Sequence, residues 1–389
     1  MRFIYLAYQL TLILSLLFTP TAFASDNKSP YKKFNTWLRQ AMHNAQVPGV
    51  SIVVIRDYKI SWVGTYGVKN IFTEEPVSDT TLFQAGSISK PITAMAVLSA
   101  AQDDDIDLDE NINDLLTSWK LPDNKYTEEE NVTVKELLSH TAGINISGFL
   151  GYPHDAPLPT LIEVLNGKDP SNSPPIQVTY YPGDDYIYSG GGYTILQQIL
   201  VDIYHQPFSH VMNERVLEPL SMSNSTFDQP LPARFTDYIA TPYRPGFVSV
   251  KGGPHTYVAQ AAAGLWTTPF DLAKFAISIQ ESLRGNPYQV LQPKSAQLMM
   301  EPVKEHMGLG FMVNMNKYGQ PTKRGRYFMH WGQNEGYRSL IIAHTSKGYG
   351  AIVMTNMAPN GQLVMRGKVK EDGFMEAVLA MIADLERWK

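Results

Sequence analysis

The chain has no cysteine among its 389 residues, which excludes disulfides and attachment through a lipidated cysteine. It also lacks an excess of positive charge. Lys and Arg number 32 against 37 Asp and Glu, for a net charge of -5, so no basic face for nucleic acid is expected. No Gly-x-Ser-x-Gly elbow occurs, which argues against an ordinary α/β-hydrolase. Internal repeats and low-complexity tracts are absent. The acidic run Asp103–Asp109 lacks the glycine and closing glutamate of a calcium loop. It reads as the solvated end of a helix, and no metal or cofactor is called for.

A long apolar run occurs at the start, from Phe3 to Phe18, with Arg2 as the only charge in the first 24 residues. Ala22-Phe23-Ala24 supplies a small-x-small cleavage signature. The expectation is a signal peptide over residues 1–24, cleaved after Ala24, and a secreted or periplasmic protein. The alternative is a retained membrane anchor, disfavoured because the run is short and Gln9 interrupts it. With 44% hydrophobic residues, the remaining chain is large enough to hold a core without disulfides.

Apolar spacing of four residues at Phe34, Leu38 and Met42 predicts a helix over Ser29–Gln46. Two β-rich runs follow, Val50–Ile55 and Ile60–Tyr66, joined by the turn Arg56-Asp57-Tyr58-Lys59. Near the end, Tyr327–Trp331, Leu340–His344 and Ala351–Met357 are β-prone, and Phe374–Trp388 carries a helical apolar face. Strands at both ends with helices between them imply an α+β fold. An antiparallel sheet is flanked by the N- and C-terminal helices. The hydrolase region, 25–389, divides into an α/β part (about 29–85 plus 303–389) and a large, mostly helical insertion (about 86–302).

Three short motifs carry chemistry. Ser87 and Lys90 lie three residues apart at a helix start, after Ala85-Gly86 and with Pro91 in the first turn. That spacing puts hydroxyl and amine on one helix face, and proline is tolerated there because first-turn amides have no intrahelical partner. The plain alternative is an ordinary helix cap. Tyr188-Ser189-Gly190 sits in a glycine-rich turn that could deliver a phenol into a cleft, or could simply pack a tyrosine at a helix entry. A helical run is expected from Thr194 to Ile203. His330-Trp331-Gly332 lies in an apolar strand. A strand histidine is often structural, but Gly332 would let a substrate lie along the strand edge.

These motifs resemble those of the serine β-lactamase-related hydrolase superfamily: class C β-lactamases, low-molecular-weight penicillin-binding proteins, D-aminopeptidases and related esterases. The resemblance runs from about Pro48 to Met357. It includes Leu137-Leu138-Ser139-His140-Thr141-Ala142-Gly143, Pro182-Gly183, Gly264-Leu265-Trp266-Thr267-Thr268-Pro269 and Gly336-Tyr337-Arg338-Ser339. It implies the β-lactamase/transpeptidase-like fold, Ser87 as nucleophile and Lys90 with Tyr188 as the proton-transfer pair. It further implies backbone N–H groups of Ser87 and Gln333 as an oxyanion hole, with His330, Gly332 and Gly190 lining the substrate site. His140 lies outside the catalytic motifs and reads as a residue of the fold. Whether Lys90 or Tyr188 is the formal base stays open.

Two departures bear on substrate. Gly190 stands where the family commonly has an asparagine that holds the substrate amide. His330-Trp331-Gly332 replaces the lysine-threonine-glycine that meets a substrate carboxylate, and Trp331 is expected to add bulk at the rim. Ser25-Asp26-Asn27 and Lys323-Arg324-Gly325 imitate family motifs at the wrong places. The second reads as a turn. The expected function is hydrolysis of a small ester or amide through an acyl-serine, esterase- or D-aminopeptidase-like. The alternatives are a β-lactamase or D,D-carboxypeptidase, and a non-catalytic sensor of penicillins or peptidoglycan. Partners would be a small-molecule or peptide substrate, with peptidoglycan fragments and β-lactams among the candidates, and neither nucleic acid nor a stable membrane anchor. Tyr152, Pro153 and the irregular stretch Ala156–Pro175 are expected to border the cleft.

Overall fold

The computed structural model describes residues 31–128, 130–358 and 373–389. The leader, its cleavage site, Ser29 and the Ser25-Asp26-Asn27 imitation lie outside the described residues. Six strands form one antiparallel sheet: β1 (Gly49–Arg56), β2 (Lys59–Gly67), β3 (Met312–Met315), β4 (Tyr327–Asn334), β5 (Tyr337–His344) and β6 (Gly350–Thr355). Their spatial order is β2-β1-β6-β5-β4-β3. The first and last parts of the chain therefore meet at the centre of the sheet, where Val50 faces Thr355 and Ile55 faces Gly350. Asp57 and Tyr58, both at positive φ (51° and 61°), make the tight turn between β1 and β2 whose twist suits a two-residue hairpin.

Period-two alternation splits each central strand between two cores. Val50, Ile52 and Val54 of β1, Leu340 and Ile342 of β5, and Ala351 and Val353 of β6 face helices α1 (Lys32–Ala45) and, at the end of the chain, α5 (Phe374–Leu385). Phe34, Leu38 and Met42 of α1 and Val378, Leu379 and Ile382 of α5 fill that side. Arg56 pairs with Glu386 at 2.7 Å, joining β1 to the end of α5. On the opposite face, Val53, Ile55, Ile341, Ala343, Ile352 and Met354 pack against the helical part of the chain. Because both faces are covered, the central strands read as unbroken apolar runs. β3 was not expected from the sequence: four residues pair with β4 only at Met312 and Met315.

Helix α2 (Ser89–Gln102) is buried on nearly every side, as an all-round apolar helix must be. Helix α3 (Gly190–Tyr204) begins four residues before the expected Thr194. Glycine disfavours helix interiors, but here close approach decides: a Cβ at Gly191 would meet Asn145 O at 2.7 Å. Ser189 caps the helix by accepting the Gly192 N–H at 2.9 Å. Helix α4 (Pro269–Leu283) is capped by Thr268 and backs the sheet. The stretch Ala156–Pro175 is not wholly irregular, since Leu161–Asn166 is a short helix closed by a Thr160/Glu163 capping box. Lys323 and Arg324 form a turn before β4.

Candidate active site

The site forms where three segments meet the far half of β4. Pairing with β3 covers Tyr327 to Met329 and stops, and the turn Gly86–Ile88 packs beside the rest of the strand. Gly86 has φ 53°, and a Cβ there would sit 2.6 Å from the Gln333 nitrogen. Only glycine both adopts that backbone and lets the turn approach so closely. Gly332 is equally constrained, with Ala85 O 1.9 Å and Ser339 Oγ 2.1 Å from the position of a Cβ. Its missing side chain therefore makes room for the backbone before Ser87, which corrects the expectation that it leaves space for a substrate.

Buried side chains staple this junction. Ser339 Oγ donates to Ala85 O at 2.7 Å. Asn334 Nδ2 donates to Gln84 Oε1 at 2.8 Å and to Ala263 O at 2.9 Å. Ser89 Oγ donates to Gly86 O and accepts the Leu265 N–H at 3.0 Å. Reading the motifs missed Asn334 and Ser89; the available signal was a polar residue directly beside a motif in an apolar segment.

Ser87 is half-buried at the turn, and Lys90 Nζ lies 3.2 Å from its Oγ. The amine is otherwise enclosed: Lys90 is 1% exposed, donates to Ala262 O at 2.9 Å and sits 4.9 Å from the centre of the Tyr188 ring. No carboxylate forms an ion pair with it among the described residues. Burial without a counter-charge brings its pKa down from 10.5 to about 7. Tyr188 is hydrogen-bonded to Ser87, yet burial holds its phenol well above the ordinary tyrosine range. Of this pair, the amine is thus the member that can be deprotonated near neutral pH.

His330 projects from β4 to the same side, its ring 6.2 Å from that of Tyr188. Burial and then the Lys90 charge lower its pKa to about 3, so it is neutral at pH 7. Alternation sends Trp331 to the opposite face, among the residues under α1 and α5. Trp331 therefore does not add bulk at the rim. Gly190 is the first residue of α3, and a Cβ there would meet Ser147 O at 3.2 Å and the Phe149 ring edge at 3.3 Å. The space of the family's asparagine is bounded by that loop. His140 packs beside the motif tyrosine, its ring 4.3 Å from that of Tyr188. Tyr152 is buried and pairs with Thr256.

The two-faced antiparallel sheet with a buried Ser-x-x-Lys helix start beside one strand is the β-lactamase/transpeptidase fold. The chain belongs to the Beta-lactamase family, whose model matches residues 34–370. Protein flp of Staphylococcus aureus (strain MW2) is 23% identical over 335 residues, covering 84% of this chain and 63% of flp. The chain thus spans under two thirds of that relative's length. Among solved structures, the octameric penicillin-binding protein homologue from Pyrococcus abyssi superposes with a TM-score of 0.69 at 22% identity. It matches over 90% of this chain and 77% of that one. EstCE1, a hydrolase with promiscuous acyltransferase activity, superposes with a TM-score of 0.70 at 18% identity, over 91% and 98% of the two chains. These likenesses are likenesses of fold.

Proposed function

We propose that the protein is a secreted or periplasmic serine hydrolase that cleaves a small, uncharged ester or amide through an acyl-serine. The observation that carries this reading is the Lys90 amine, buried without a carboxylate and 3.2 Å from the Ser87 hydroxyl. A neutral amine accepts the Ser87 proton as Oγ attacks the carbonyl carbon. The oxyanion takes N–H donors from the backbone of Ser87 and Gln333, each worth about 10²–10³ in rate. On collapse the carbon–leaving-group bond breaks. Tyr188 gives its proton to the departing oxygen or nitrogen and regains one from the Lys90 ammonium. Water then attacks the acyl carbon, its proton passing to the same pair; the carbon–Oγ bond breaks, and the pair returns that proton to Ser87 Oγ as the acid leaves.

A neutral His330 offers a substrate carboxylate no full charge, which favours ester or amide substrates over D,D-carboxypeptidase and β-lactam substrates. Ser87→Ala should fold and lose all covalent labelling by a fluorophosphonate, together with turnover of a p-nitrophenyl ester. Turnover at the parent rate would discard the reading. With nitrocefin and a fluorescent penicillin, the parent protein is expected to give neither rapid hydrolysis nor a stable adduct. Either outcome would shift the assignment to a β-lactamase or a penicillin-binding protein.

A further inference from the structure

Tyr188 is held by His140 on both sides of its own position in the chain. His140 ends the short helix Val134–Ser139 in the left-handed region, at φ 60°. Its carbonyl accepts the Ile187 N–H at 2.8 Å, and its Nδ1 accepts the Ser189 N–H at 3.0 Å. Its ring lies 4.3 Å from the Tyr188 ring and 5.3 Å from that of Tyr193. The left-handed cap is a common helix ending, shared by Gln46 and His205, and it turns the chain so that His140 lies beside the tyrosine segment.

The partners also settle the protons. Because a backbone N–H donates to His140 Nδ1, that nitrogen carries a lone pair, and the neutral ring bears its hydrogen on Nε2. In His330 the assignment reverses: Nδ1 lies 2.6 Å from Trp331 O, a carbonyl that can only accept, so Nδ1 holds the hydrogen and Nε2 is the acceptor. Both Nε2 atoms are buried without a protein partner among the described residues. One is a donor and the other an acceptor, on two rings that both flank Tyr188. Burial and the nearby Lys90 charge disfavour a proton on either ring.

We infer that His140 is a positioning residue for Tyr188, and that His140 and His330 flank the phenol as neutral rings in opposite tautomers, one with an Nε2–H and the other with an Nε2 lone pair. The pair holds the ring that faces Ser87 without adding charge next to Lys90. This rests on the Ser87–Lys90–Tyr188 reading, which an active Ser87→Ala variant would sink by itself.

The deciding experiment does not use activity. In full-length protein labelled with ¹⁵N-histidine, two-bond ¹H–¹⁵N spectra report which ring nitrogen is protonated, with assignments made by loss of signals in His140→Asn and His330→Asn. The expected result is Nε2–H for His140, Nδ1–H for His330 and no titration of either between pH 5 and 8. The same tautomer in both rings, or a cationic ring at pH 7, would overturn the inference. His140→Asn tolerates φ 60° and keeps an acceptor for Ser189, but removes the ring and Nε2–H. Its kcat on a p-nitrophenyl ester should fall about 10- to 100-fold with KM changed less than about twofold. An unchanged kcat would remove the positioning role. Should that variant fail to fold, His140→Gln supplies the assignment and the parent spectrum then decides the tautomers.

Discussion

Two cations sit at opposite ends of helix α2 and are neutralised in opposite ways. Lys90, in the first turn, is buried and has a carbonyl, a hydroxyl and an aromatic face around it. Arg215 lies by the last turn, 2.9 Å from Asp103 and 3.0 Å from Asp105, with its guanidinium 4.3 Å from the Tyr204 ring. The arginine's charge is compensated by two carboxylates within 3.0 Å. The lysine is instead pushed toward losing its proton, since burial offers the ammonium nothing equivalent. One end of the helix is stabilised by electrostatics, whereas the other is destabilised by them and gains a base. This is the trade between stability and activity expected of a reactive site.

The largest effect should come from abolishing the unusual cation. Lys90→Met is expected to lower acylation by a fluorophosphonate at least about 10³-fold while stabilising the fold by about 1–3 kcal/mol, read as a higher Tm. Full acylation, or a lower Tm, would break the contrast drawn between the two ends.

Next is pH. With a folded pKa of about 7 against an ordinary 10.5, the folded state binds fewer protons than the unfolded chain between those values. Stability should therefore rise with pH across that window, most of the penalty being present at pH 7 and below. The acylation rate should rise about tenfold per pH unit below about 7 and level off above it, because the neutral amine is the reactive form. A flat profile from pH 5 to 9 would refute the assignment of the base. His330 acts in the opposite pH range. Its pKa of about 3, against 6.5, makes it neutral in both states above pH 6.5. It lowers stability as pH falls from there toward 3.

A smaller effect is expected from Gly332→Ala, whose Cβ must displace Ala85 O or Ser339. It should cost about 1–3 kcal/mol and reduce kcat through movement of the Ser87 turn. The parent Tm with parent kcat would show that the turn is not seated through this glycine. The smallest is Arg215→Ala, expected to cost about 1 kcal/mol or less, less still at high salt, with kcat unchanged. A large loss of activity would join the two ends of the helix that the comparison separates.

Some of this was legible before any coordinates. The β-rich run Val50–Ile55 and the Asp57-Tyr58 turn specify a hairpin by local chemistry, and the four-residue spacing of Phe34, Leu38 and Met42 specifies a helix. The glycines misled, however. Gly190–Gly192 looked like loop and are helix, and the lack of side chains at Gly190 and Gly191 serves contact with Ile144–Phe149 across the fold. Gly332 looked like space for a ligand and is filled by Ala85. His140 reads as a residue of the fold because it lies outside the catalytic motifs; it stands 48 residues before Tyr188, and only the return of the chain along Ile187 and Ser189 brings it to the phenol.

The sequence by itself determined which groups exist and how several local segments fold: a serine and lysine three residues apart at a helix start, a hairpin near the beginning, and no cysteine for any disulfide. Tertiary structure alone decided which groups come together at the site and which of them hold protons. The reason is physical. Periodicity and capping are set by neighbours in the chain, while desolvation of Lys90 and the tautomers of His140 and His330 depend on which carbonyls, N–H groups and rings enclose them.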